Sequence, residues 1–146
     1  MNYSTRNNNK TVKFIIIHYT GMLSLQAAYK RLICPNSNVS CHYLSSRKGI
    51  VFNLLSSNLK AWHAGKSKWK GYSNLNDHSI GIELENRGHD YGYQNFTIVQ
   101  YKSLNSLISS LCKSFRIQKN DILGHSDIAP NRKIDPGEKF KWNLIK

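Results

Sequence analysis

A chain of 146 residues with 40% hydrophobic and 11% aromatic content is long enough to bury one core, which excludes an unfolded polyelectrolyte. Lys and Arg number 21 against 8 Asp and Glu, so a formal charge of +13 attracts anionic partners: nucleic acid, acidic lipid or wall polymers. The basic residues are scattered and form no nucleic-acid-binding motif, so no dedicated nucleic-acid partner is expected.

Residues 1–10 are polar and asparagine-rich and read as a flexible N-terminus ahead of one domain over 11–146. The apolar run from Val12 to Ile17 is too short for a signal peptide or a membrane span, so neither export nor membrane insertion is expected. Cys34, Cys41 and Cys112 are odd in number and lack CxxC spacing, which argues against a disulfide framework and for a reducing, cytoplasmic compartment.

Val12 to Ile17 is β-branched and aromatic, the pattern of a strand buried on both faces. It ends at His18, and strand ends are where open α/β sheets place ligands. Ser24 caps a helix running to about Ile33 and stopped by Pro35. Val39 to Leu44 and Ile50 to Leu55 read as an antiparallel pair joined by a loop whose Gly49 suits a left-handed position. The emerging class is α/β, a single domain with a mixed central sheet flanked by helices.

Ala61-Trp62-His63-Ala64-Gly65 sets a Trp and a His among small residues, a composition that lines pockets. Ile80 to Asn86 alternates, with Ile80, Ile82 and Leu84 on one face and Gly81, Glu83 and Glu85 on the other. Gly81 leaves room beside the two carboxylates for a ligand. Thr97 and Gln100 form a capping box for a long helix to about Phe115. Ile122-Leu123-Gly124 is a short strand. The run from Gly124 to Gly137, with two prolines and two glycines, reads as a loop carrying His125, Asp127, Lys133 and Asp135. Imidazole and carboxylate are ligand types of hydrolytic zinc sites, and spacing alone leaves Asp127 and Asp135 as alternatives.

His18 at a strand end, Ala61-Trp62-His63-Ala64-Gly65, Ile80 to Asn86, Gly124-His125-Ser126-Asp127 and Lys133-Ile134-Asp135-Pro136-Gly137, in this order, resemble the zinc-dependent N-acetylmuramoyl-L-alanine amidases. The likeness is to the AmpD and AmiD branch, related to peptidoglycan-recognition proteins, and spans about Val12 to Trp142. It implies a zinc ion held by His18, His125 and Asp135, with Glu83 as general base and Lys133 stabilising the oxyanion. Asp127 is left to brace its loop. Trp62, His63 and Asn86 are candidates for lining the substrate groove. The implied substrate is an anhydromuropeptide or peptidoglycan, cut between the lactyl group and L-alanine, by a monomer. Cytoplasmic recycling is the expected role, with a phage-type lysin as the alternative. A non-catalytic peptidoglycan-binding module is the competing class. A thiol hydrolase using Cys41 and His42 is disfavoured, since neighbours on a strand point to opposite faces.

Overall fold

A computed structural model describes residues 1–7 and 11–146. In chain order it contains β1 (Tyr3–Thr5), β2 (Phe14–Tyr19), α1 (Leu25–Ile33), β3 (Tyr43–Ser45), β4 (Val51–Asn53), β5 (Leu59–Ala61), β6 (Lys68–Trp69) and β7 (Tyr72–Ser73). There follow β8 (Ser79–Leu84), α2 (Ile98–Phe115), β9 (Ile122–Gly124) and α3 (His125–Ile128).

Five strands form the central sheet in the order β4-β3-β8-β2-β9. The β3–β8, β8–β2 and β2–β9 pairs are parallel and β3–β4 is antiparallel, so the sheet is mixed, as expected. The apolar run predicted from Val12 forms β2, and its Phe14, Ile15, Ile16 and Ile17 are all buried. Period two sends them to opposite faces: Ile15 and Ile17 join Ile80, Ile82 and the buried stripe of α2, while Phe14 and Ile16 pack with Leu123 and Ile128.

Helix α2 begins at the predicted capping box. Thr97 Oγ1 accepts the Gln100 N–H at 3.1 Å, and Gln100 Oε1 accepts the Thr97 N–H at 3.0 Å. Such a cap stabilises a helix by about 1 kcal/mol. Arg116, with φ +56°, ends it in a left-handed turn. With α2 covering one face, the opposite face carries α1, whose Leu32 packs with Leu44 of β3, together with α3 and the loops from residues 61 to 79.

Three expectations need correction. Residues 2–6 are docked and not free: β1 pairs antiparallel with β5, and the buried Asn2 side chain donates to the Leu32 carbonyl at 2.8 Å. Residues 8–10 of the expected flexible stretch lie outside the described residues. The antiparallel pair is shorter than predicted, because the N–H groups before Tyr43 turn elsewhere, Ser40 to Trp62 and His42 to Gly81, while the His42 carbonyl still accepts from Leu54 at 2.8 Å. The loop after β9 opens with one helical turn, α3, in which the Ala129 N–H reaches the His125 carbonyl at 3.0 Å. Pro130 follows at once and prevents its extension.

Candidate metal centre

His18 sits near the C-terminal end of β2, beside Glu83 of β8 in the ladder register. Ile17 pairs with Gly124, so β9 delivers His125 to the same end of the sheet. Asp135 returns to them from the loop, anchored where its carbonyl accepts the Ser126 N–H at 2.9 Å. The three side chains converge and are buried. His18 Nδ1 lies 3.0 Å from both His125 Nδ1 and Asp135 Oδ2, and His125 Nδ1 lies 3.2 Å from the same oxygen.

Partners on the far side of each ring fix where the protons sit. His125 Nε2 is 3.0 Å from the Ala64 carbonyl oxygen, which can only accept, so Nε2 carries the proton and Nδ1 offers a lone pair. Behind His18 the relay is longer. Ser79 Oγ donates to the Leu75 carbonyl at 2.5 Å and so accepts from His63 Nε2 at 3.2 Å. His63 Nδ1 then accepts from His18 Nε2 at 2.9 Å, leaving His18 Nδ1 bare. Burial, and next the neighbouring His125, pushes His18 down to about 4, so its ring is neutral. Burial and then His18 hold His63 well below the usual range.

Burial alone would raise the Asp135 carboxyl, but the His125 and His18 rings beside it carry it well below the usual carboxylate range. Two bare nitrogens and a carboxylate oxygen at such separations repel one another unless a cation lies between them. Neutral imidazole and ionised carboxylate are the ligating forms. The donor set therefore fits a metal ion.

Glu83 faces the same space. Its Oε2 is buried with no hydrogen-bond partner among the described residues. Burial, followed by repulsion from Asp135, raises its carboxyl well above the usual range, while Lys133 opposes the shift. An orphaned carboxyl of that kind marks a group awaiting a partner that the protein alone does not provide. Lys133 lines the same cavity of about 500 Å³, together with Tyr19, Arg31 and Arg132.

Residues 8–138 match the sequence family described as N-acetylmuramoyl-L-alanine amidase. This stretch contains His18, Glu83, His125, Lys133 and Asp135. The chain belongs to that family. A 1,6-anhydro-N-acetylmuramyl-L-alanine amidase AmpD of Haemophilus influenzae is 46% identical over 105 residues, covering 71% of this chain and 55% of the relative. The N-acetylmuramoyl-L-alanine amidase AmiD of Escherichia coli is 36% identical over 146 residues, covering 92% of this chain and 52% of the relative. The chain thus spans about half the length of these curated relatives. A solved structure of Escherichia coli AmiD, in complex with the substrate anhydro-N-acetylmuramic acid-L-Ala-D-gamma-Glu-L-Lys, superposes with a TM-score of 0.83 at 33% identity. That likeness covers 95% of this chain and 58% of AmiD.

Within this amidase-family fold, of the three residues expected to line the groove His63 borders the cavity, while Trp62 and Asn86 do not. Both ring nitrogens of the buried His63 are engaged, with His18 and Ser79. Its ring fills the space over Gly81 that the sequence reading assigned to a ligand: a Cβ there would stand 2.5 Å from His63 Cγ. Buried Asn86 braces a turn, its Oδ1 accepting the Gly88 and Gln94 N–H groups and its Nδ2 donating to the Gln94 carbonyl. Trp62 Nε1 donates to Ser4 Oγ at 3.2 Å, against the N-terminal strand. Tyr19 and Arg31 line the groove beside His63. Tyr19 follows His18 directly and was within reach of the sequence reading, whereas Arg31 lay on a helix face with no such signal.

Asp127 keeps its expected bracing position, its Oδ2 accepting the Gly124 N–H at 2.7 Å. Glu85 is likewise occupied, its Oε2 accepting the Arg47 N–H at 2.7 Å. Cys41 is buried, and burial first, then Glu83, pushes its thiol well above the usual range. His42 spends both nitrogens on Gly81 and Leu59, so that pair offers no nucleophile.

Proposed function

We propose that this chain is a zinc-dependent hydrolase of the amide between the lactyl group of N-acetylmuramic acid and L-alanine. One observation carries the reading: two imidazole lone pairs and a carboxylate oxygen converge at 3.0–3.2 Å beside the unpartnered Glu83 carboxyl. Tetrahedral zinc ligands at about 2.0–2.1 Å stand about 3.3 Å apart, close to this spacing, and three protein ligands are the catalytic complement. His18, His125 and Asp135 would hold the ion.

Bound zinc supplies Lewis acidity toward the amide carbonyl and acidifies water. Glu83 takes the proton of the attacking water and returns it to the leaving amine, a role suited to a carboxyl raised by burial and by Asp135. The Lys133 ammonium donates to the oxygen on which negative charge develops. Both groups border the same cavity as the ligands, which keeps proton transfer and charge stabilisation within reach of one bound amide.

The relative's name, 1,6-anhydro-N-acetylmuramyl-L-alanine amidase, supports an anhydromuropeptide as substrate, and we infer that the chain meets it in the cytoplasm during recycling. Every proposed ligand lies on one chain, so a monomer suffices. A second reading, a lysin on polymeric wall, is favoured by the charge of +13. Digesting an anhydromuropeptide and intact sacculi side by side, with mass detection of newly freed L-alanine amino termini, separates them. Cleavage of neither by zinc-loaded protein would refute the amidase reading.

A further inference from the structure

The outward N–H groups of both histidines of the metal site land on consecutive residues: His18 Nε2 on His63 Nδ1, and His125 Nε2 on the Ala64 carbonyl. These two residues are in turn held by one short segment. Asn76 Oδ1 accepts the backbone N–H of His63 at 3.0 Å and of Ala64 at 2.7 Å. Ser79, committed as a donor to Leu75, takes the remaining proton of the His63 ring. Ser79, Gly81 and Glu83 alternate on one face of β8, and the absent side chain at Gly81 is what admits the ring between them.

We propose that His63 is the positioning residue of the metal site, its ring fixing the tautomer and aim of His18 and thereby the affinity of the trio for its ion. The inference rests on the metal-site reading given above. It requires no contact between His63 and substrate. Without the His63 acceptor, the buried Nε2–H of His18 is orphaned, or the proton moves to Nδ1 and removes the ligating lone pair. Outer partners of this kind alter metal affinity by about 10–100-fold.

Two variants test it. His63→Phe keeps a ring over Gly81 and deletes both nitrogens. His63→Gln keeps an acceptor for His18 and a donor for Ser79. Zinc dissociation constants come from competition with a chromophoric chelator. The ¹⁵N shifts of the His18 ring in metal-free protein report which nitrogen is protonated. The expected result is a proton on His18 Nε2 in the wild type, zinc binding weakened about 10–100-fold in His63→Phe, and recovery of most of that loss in His63→Gln. A folded His63→Phe that binds zinc as tightly as wild type, or a wild-type His18 protonated on Nδ1, overturns the inference. So does a folded His63→Gln no better than His63→Phe. Should His63→Phe not fold, the wild-type tautomer and His63→Gln still decide. Wild-type protein that takes up no zinc refutes the metal-site reading, while its His18 tautomer continues to test the role of His63.

Discussion

His18 and Glu83 stand opposite each other in the parallel β2–β8 ladder, adjacent strands holding a candidate metal-ligating imidazole and, in register, a carboxyl oxygen with no partner among the described residues. This pairing sets the carboxyl beside the metal trio through backbone hydrogen bonds alone. Only Asp135 must be brought in by a loop, and the Ser126 N–H bond to its carbonyl fixes that return. The C-terminal ends of three neighbouring strands thereby build one site, in the position that open α/β sheets favour.

Untagged protein should carry one zinc per chain by metal analysis, and His125→Ala and Asp135→Ala should each lose it. Asp127→Ala should retain zinc, since Asp127 only accepts the Gly124 N–H, and should lose about 1 kcal/mol of stability. Zinc lost from Asp127→Ala and kept in Asp135→Ala would reverse the assignment.

Metal-free protein should lose stability as pH falls from 6.5 toward 4. Burial pushes His42 from 6.5 to about 4, and His18 likewise. Between those values the unfolded chain binds protons that the folded chain refuses, so stability rises with pH across the window and is lost as pH falls through it. For His42 alone the shift corresponds to roughly 3 kcal/mol. Glu83 runs the other way: its raised carboxyl contributes stability that is present below 4.5 and fades as pH rises through the folded value. Three depressed histidines, His18, His42 and His63, outweigh one raised carboxyl. Urea midpoints of chelated protein at several pH values across this window check the sign, and a flat profile would contradict it.

Gly81→Ala should be costly although the φ of Gly81 is an ordinary one. Its Cβ would meet the His63 ring at 2.5 Å, and a packed ring anchored at both nitrogens cannot give way cheaply. A loss of about 1–3 kcal/mol is expected from overpacking, with weakened zinc binding as His63 shifts. Equilibrium unfolding with and without zinc measures both, and wild-type values for the two would show that the ring relocates freely.

The elements legible in the sequence were those whose pattern is local: the β-branched run of β2, the alternation of β8, and the Thr97–Gln100 box. Residues 2–6 were misread because a short strand with polar side chains has no hydrophobic signature; its pairing partner, β5, lies more than fifty residues away. Of the expected groove residues His63 borders the cavity but Trp62 and Asn86 do not, because residue type does not reveal which way a polar side chain is spent. Arg6 shows the same blind spot, its guanidinium donating to the carbonyls of Asn76, Asp77 and Ser79 at 2.9, 3.0 and 2.6 Å. Arg6→Ala should therefore cost about 2 kcal/mol, as charge-assisted hydrogen bonds to buried carbonyls do. A thermal or urea midpoint equal to wild type would show that the Arg6 bonds contribute nothing to stability.

The mechanism itself is tested by variants that spare the metal. Glu83 lies outside the ligand trio, and Glu83→Gln keeps its size while removing its basicity. Zinc content and substrate affinity should survive, and turnover of an anhydromuropeptide should fall by about 10²–10⁴-fold. Lys133→Met keeps much of the stem and removes the charge; loss of one oxyanion-stabilising donor should lower kcat by about 10²–10³-fold with a smaller change in KM. The same substitution separates a second effect. Lys133 opposes the rise of the Glu83 carboxyl, so its removal should move the acidic limb of the pH–rate profile upward, as Glu83 holds its proton to higher pH. A lysine that acted only as a structural contact would leave that limb in place. If both variants fold, retain zinc and hydrolyse the muramoyl–alanine amide near the wild-type rate, Glu83 and Lys133 are not the proton carrier and the oxyanion partner, whatever the metal content of the site.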